Sequence, residues 1–181
     1  VIDWLSQDGQ TILQRHATTA DNLKAARHQQ KDFEKFYYSA VSYIEKGNDL
    51  LEEASMLSQC GSFSEATGYK DLAKTLRRQL QNFTGQLEEA RERIEGTAKC
   101  YHLLDKSYEW ALEAMKYMSS MKMEHSTTAE GLDKLLKSLS IYLSEHPAIS
   151  EETFVAMLEV AQRLNNDRLL EQCKLAKARC Q

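Results

Sequence analysis

The chain has 181 residues, 42% of them apolar and 28% charged, with a net charge of −4. One proline and seven glycines leave little material for hairpins, and the chain is rich in Leu, Ala, Glu, Lys, Gln and Arg, so the composition points to an all-α protein. Its 23 cationic side chains are interspersed among 27 acidic ones, which excludes the basic footprint of nucleic-acid binding, and no run of 18 apolar residues is present to span a membrane.

The first pattern is the tail of a helix, with Val1, Leu5 and Ile12 on one face beside Trp4. The chain begins with Val instead of Met and enters in mid-pattern at "VIDWL", which is the expectation for a piece of something longer. A second helix is predicted from about Thr19 to Ser58. Leu23, Ala26, Phe33, Tyr37, Ala40, Ile44, Leu51 and Ala54 recur at spacings of three and four, Gln30 and Gly47 are the weak points, and Thr18 with Asp21 resembles a capping arrangement. The turn falls in "SQCGSFSEATG", Ser58 to Gly68, with Ser62 or Ser64 as the next cap.

The third pattern is a heptad. Leu80, Leu87, Ile94, Tyr101, Tyr108 and Met115 are seven apart, as are Leu76, Phe83, Ala90, Thr97, Leu104, Ala111 and Met118, and Thr97 is the one non-apolar member. One helix therefore runs through the middle of the chain, over about 70–120, with Gly85 and Gly96 predicted to face outward. After Met118, Thr127 and Glu130 form a capping box ahead of Leu132, Leu135, Leu139 and Tyr142. Pro147 ends that helix and Ser150 starts another, in which Phe154, Leu158 and Ala161 face inward. "RLNNDR" breaks the register before Leu169, Cys173, Ala176 and Cys180, so a kink or two short helices are expected there.

A repeat lies across these elements. "DWL" at Asp3 to Leu5 aligns with "EWA" at Glu109 to Ala111, and Trp4 and Trp110 are 106 residues apart. A three-helix module of that length, with a Trp early in its first helix and a third helix running unbroken into the next module, resembles the spectrin repeat. The stretch "RIEGTAKCYHLLDKSYEWALEAM" is similar to that family's junction. The resemblance implies spectrin-like three-helix bundles in tandem joined by a continuous helix, with residues 1–105 as one repeat and 106–181 as a second, shortened unit. Its core would hold Trp4, Phe33, Tyr37, Ile44, Leu80, Leu87, Ile94, Tyr101, Leu104, Tyr108 and Trp110. The short second unit, with "EHPAISEETFVAMLEVAQRLNNDRLLEQCKLAKARC", resembles the region found in Dbl-family Rho guanine nucleotide exchange factors of the Trio, kalirin and puratrophin groups. Large cytoskeletal scaffolds are the competing parents.

The motif search gives no catalytic candidate. Glu-x-x-His, Gly-rich phosphate loops and His-Glu-x-x-His are missing, and the five histidines are scattered, His102 in the continuous helix reading as a packing or rim residue near the repeat junction. Cys60, Cys100, Cys173 and Cys180 lack metal or redox spacing and fit a reducing cytoplasm; Cys173 and Cys180 share a helical face but read as small buried side chains. Asn82-Phe83-Thr84 is formally a glycosylation sequon inside a helix. The sequence thus predicts no cofactor, no metal and no enzyme activity. Candidate partner contacts are the surplus apolar residues Tyr38, Tyr43 and Leu57 in the second helix and Met121 and Met123 after the third. The expected function is a protein-interaction, spacer or scaffold module of a cytoskeletal or Rho-signalling protein, cytoplasmic and in places cytoskeleton-associated. The alternative is a membrane- or lipid-binding helical module, which the mixed charge disfavours. Heptad rows alone leave a homodimer open.

Overall fold

The computed structural model describes the backbone of residues 1–60, 63–124 and 128–181, and the side chains of these except 58, 60, 63–67, 69 and 122–124. Among the described residues the fold is all-α, without strands. A π-helical turn, Trp4–Asp8, leads into α1 (Gly9–Arg15); α2 (Leu23–Cys60), α3 (Phe63–Glu124), α4 (Ala129–Glu145), α5 (Glu151–Arg163) and α6 (Asp167–Cys180) follow. The chain divides into two compact units, Val1–Glu95 and Gly96–Gln181, and the division falls inside α3.

The first unit packs the opening helical segment, α2 and the first part of α3 around one core. Leu5, Leu13, Phe33, Phe36, Ala40, Leu76, Leu80, Phe83, Leu87, Ala90 and Ile94 are buried together, with Trp4, Tyr37, Ile44 and Leu51 partly buried against them. Heptad residues of α3 bring one apolar stripe into this core, as the spacing of three and four requires. Trp4 stacks on Tyr43 at a centroid distance of 4.0 Å and meets Phe83 edge-on at 5.5 Å. Gly47, a weak point in the pattern, is a place of close approach: a Cβ there would come 2.8 Å from Leu80 Cδ2. The start of α2 differs from the expected Thr19. Asn22 Oδ1 accepts the Ala25 N–H at 2.8 Å and so caps the helix, while the Thr18 carbonyl accepts from Gln29 Nε2 at 2.7 Å.

The second unit has two layers of contact on α3. Phe154, Met157 and Ala161 of α5 and Leu169, Cys173 and Ala176 of α6 are buried, as are Thr97, Ala98, Cys100, Tyr101, Leu104 and Ser107 of α3. Thr97 is therefore a buried rung despite its hydroxyl. Gly96 does not face outward as its heptad position suggests: α5 approaches from that side, and a Cβ at Gly96 would stand 3.1 Å from Val160 Cγ1. The register break before α6 is a turn between two short helices, in which Asn165 takes a φ of 52° and Asn166 caps α6 by accepting the Leu169 N–H at 3.2 Å. Ser150 caps α5 through the Thr153 N–H at 3.3 Å. The cap of α4 is Thr128, which accepts the Gly131 N–H at 3.2 Å. The expected caps Ser62 and Thr127, and the side chain of Ser64, lie outside the described residues.

Candidate functional site

The heptad rows of α3 do not stop where their intramolecular cover stops. Along Gly96 to Ser107, α5 and α6 lie over α3: Cys100 Sγ donates to the Met157 carbonyl at 3.9 Å, and Cys180 Sγ to the Ser107 carbonyl, also at 3.9 Å. Cys180 is the last residue of α6, so this cover reaches the level of Ser107. Further along α3, α4 lies on a different side. Trp110 donates its indole N–H to the His146 carbonyl at 3.1 Å, Tyr117 stacks on Tyr142 at 4.1 Å, and the Tyr117 hydroxyl donates to the Ser138 carbonyl at 3.2 Å. Tyr108, Ala111, Met115 and Met118, the continuing a and d positions, are left facing a groove of about 690 Å³.

Trp110, Leu112, Ala114, Arg179, Cys180 and Gln181 complete the lining. Tyr108 is 41% exposed, Leu112 54%, Met115 61% and Met118 45%. Tyr108 is thus not a core residue: α6 ends beside Ser107, and the Arg179 guanidinium lies over the Tyr108 ring, 5.5 Å from its centroid. Exposed apolar surface of this kind carries a free-energy cost of roughly 25 cal/mol per Å² that a partner removes, and a contiguous patch marks an interaction site more often than scattered residues do. Methionines suit such a surface because the thioether side chain adapts its shape. On α4, Leu132, Leu136, Ile141 and Leu143 are exposed as well, and the helix has no fully buried residue.

The other residues singled out in the sequence are placed as follows. Phe33, Leu80, Leu87, Ile94, Tyr101 and Leu104 are buried; Trp4, Tyr37, Ile44 and Trp110 are partly buried. Of the candidate partner contacts, Tyr38 is 67% exposed and Leu57 is exposed too, while Met121 is half-buried. Tyr43 is not a free surface residue, since its ring is stacked on Trp4 with Lys46 over it. The Met123 side chain lies outside the described residues. His102 is exposed. Sequence reasoning missed Leu112 and Arg179, although Leu112 sits at the heptad e position, where an apolar residue widens the stripe.

Electrostatics in the first unit are local and structural. The Tyr37 hydroxyl donates to Glu88 Oε1 at 2.8 Å and accepts from Arg91 at 3.2 Å; the hydrogen bond to Glu88, which needs the phenol proton, raises the Tyr37 pKa, and burial and the carboxylate charge add to it. His16 lies edge-on to Phe33 at 5.4 Å and near-parallel to Phe36 at 6.1 Å, and burial lowers its pKa, with Arg93 adding to the shift and Asp32 opposing it. Among the described residues no group of three His, Cys, Asp or Glu side chains gathers to hold a metal, and no helix is long and apolar enough to cross a membrane.

The chain is similar to human Puratrophin-1, with 24% identity over 183 aligned residues. The alignment takes in 98% of this chain but only 14% of the length of that protein. No family model matches the chain, and no solved structure matches it.

Proposed function

We propose that this chain is a non-catalytic protein-interaction and spacer module of a cytoskeletal or Rho-signalling protein, and that it docks its partner through the α3 groove of the second unit. The observation that carries the reading is the row Tyr108, Leu112, Met115 and Met118, whose heptad spacing continues past its intramolecular cover. The spectrin-like spacing of Trp4 and Trp110, the passage of α3 through both units and the similarity to Puratrophin-1 over almost the whole chain support the Rho-signalling branch. An apolar groove with one rim cation among its described residues, Arg179, suits a helical protein segment better than an anionic lipid surface, which calls for a cluster of Lys and Arg.

The test is differential capture. Wild-type chain, a Met115→Glu/Met118→Glu variant and a Tyr38→Glu control are immobilised in parallel and exposed to the same cytoplasmic extract. A partner retained by wild type and by the control, and lost from the methionine variant, is the expected result. Identical captures by all three chains would refute the assignment of the groove.

A further inference from the structure

Tyr117 of α3 meets Ser138 and Tyr142 of α4, while Trp110, earlier on α3, meets His146, later on α4, so the two helices run antiparallel. Trp110 and Tyr117 lie on one line of α3; Tyr142 and the half-buried Leu135, seven residues before it, lie on one line of α4. One residue further along, a helix turns by about 100°. Ala111 and Met118 follow Trp110 and Tyr117 in this way, and Leu136 and Leu143 follow Leu135 and Tyr142. Because the helices run in opposite directions, both turns lead to the same side of the pair. Met118, Leu136 and Leu143 are exposed there; Tyr108 and Met115 widen the α3 row, and Leu132 lengthens the α4 row. The apolar surface of the groove therefore extends onto α4.

We propose, on the reading that the α3 groove docks a protein, that the occupant is a hairpin of two antiparallel helices, one laid on each row, which completes a four-helix bundle with α3 and α4. A third helix shared by both would need rows turned by about 60° from the α3–α4 contact, whereas rows turned by about 100° match the square of a four-helix bundle, where neighbours stand at about 90°. A single helix, about 10 Å across, covers one row and leaves the other wet. At roughly 100 Å² each, the six exposed side chains, with the half-buried Ala111 and Leu139, approach the about 800 Å² that one partner gives to a standard interface. Charge separates a different protein from a second copy. Arg179 lies over Tyr108 at one end of the α3 row and joins none of the ion pairs of the second unit among the described residues. Neither row holds a carboxylate, so a second copy laid row on row gives this cation nothing. The partner helix on α3 brings an acidic residue to Arg179, and both partner helices carry apolar residues at spacings of three and four.

The experiment uses the full chain and, as probe, the protein that wild type retains and Met115→Glu/Met118→Glu loses. Leu132→Glu/Leu136→Glu should lower its retention about tenfold or more, and Arg179→Glu about threefold. Ile141→Glu should retain it like wild type, because Ile141 is equally exposed but precedes Tyr142 by one residue and so faces the opposite side of α4. Equal helicity by circular dichroism shows that the variants are folded. A diazirine-bearing amino acid at position 118 in one sample and at position 136 in another should then cross-link to two helical segments of that protein joined by a turn. Full retention by the leucine variant or by Arg179→Glu overturns the hairpin and leaves the groove assignment standing. Cross-links from both positions to one helical stretch, or to a second copy of this chain, overturn it as well. Equal retention of every extract protein by the methionine variant refutes both.

Discussion

Gly9 meets Phe83 through bare backbone: a Cβ at position 9 would stand 2.8 Å from Phe83 Cε2 and 3.1 Å from a carbon of the Trp4 ring. Phe83 is fully buried and has nowhere to withdraw. Gly85, on the same helix as Phe83, has open space around it. Replacing a helical Gly by Ala gains up to about 1 kcal/mol of helix propensity, and overpacking a core costs about 1 to 3 kcal/mol. Gly9→Ala should therefore lower the unfolding free energy while Gly85→Ala raises it by up to about 1 kcal/mol. Urea denaturation of the two variants decides the point; equal stabilisation would mean that α1 does not press on Phe83.

His16 sets a pH dependence with a definite sign. Its folded pKa lies below the unfolded value of about 6.5 because burial between Phe33 and Phe36 disfavours the imidazolium. Above that unfolded value the ring is neutral in both states and its contribution is fully present. As pH falls from there through the folded pKa, the unfolded chain takes up a proton that the folded chain resists, and stability is lost. The drop in unfolding midpoint between about pH 7.5 and about pH 5 should be larger for wild type than for His16→Gln. Parallel curves for the two proteins would remove His16 from the account.

The continuity of α3 has a thermodynamic consequence. Within an α-helix the N–H groups of residues 96–99 donate to the carbonyls of residues 92–95, on the other side of the division between the units. Unfolding the first unit thus removes the hydrogen bonds that hold the first turn of α3 in the second. Each unit carries one tryptophan, Trp4 and Trp110, so Trp110 reports alone in a Trp4→Phe background. Adding Leu87→Ala, which empties a fully buried site in the first unit at about 2 to 5 kcal/mol, should move the Trp110 fluorescence transition to lower temperature. A Trp110 transition that stays in place would show that the two units unfold independently.

Much of this organisation is legible in the residues. The spacing of Leu80, Leu87, Ile94, Tyr101 and Leu104 marks a buried face, and Pro147 with Ser150 marks a helix boundary, because both signals are local. Side-chain exposure beyond Leu104 is not local. Tyr108, Met115 and Met118 continue the same rows as Leu87 and Ile94, and only the end of α6 beside Ser107 and the sideways position of α4 leave them uncovered. Gly96 shows the converse error, an outward heptad position buried because a helix distant in sequence arrives there.

The central claim, that a protein partner covers the α3 groove, is tested most directly by methionine footprinting. Met115 and Met118 line the groove, Met56 is 64% exposed on α2 of the first unit, and Met157 of α5 is buried. Mild peroxide treatment of the isolated chain should convert Met115 and Met118 to sulfoxide about as fast as Met56, and Met157 far more slowly. In complexes recovered intact from cells and footprinted without dissociation, Met115 and Met118 should fall to the Met157 rate while Met56 stays fast. Oxidation of Met115 and Met118 at the Met56 rate in those complexes would contradict the claim.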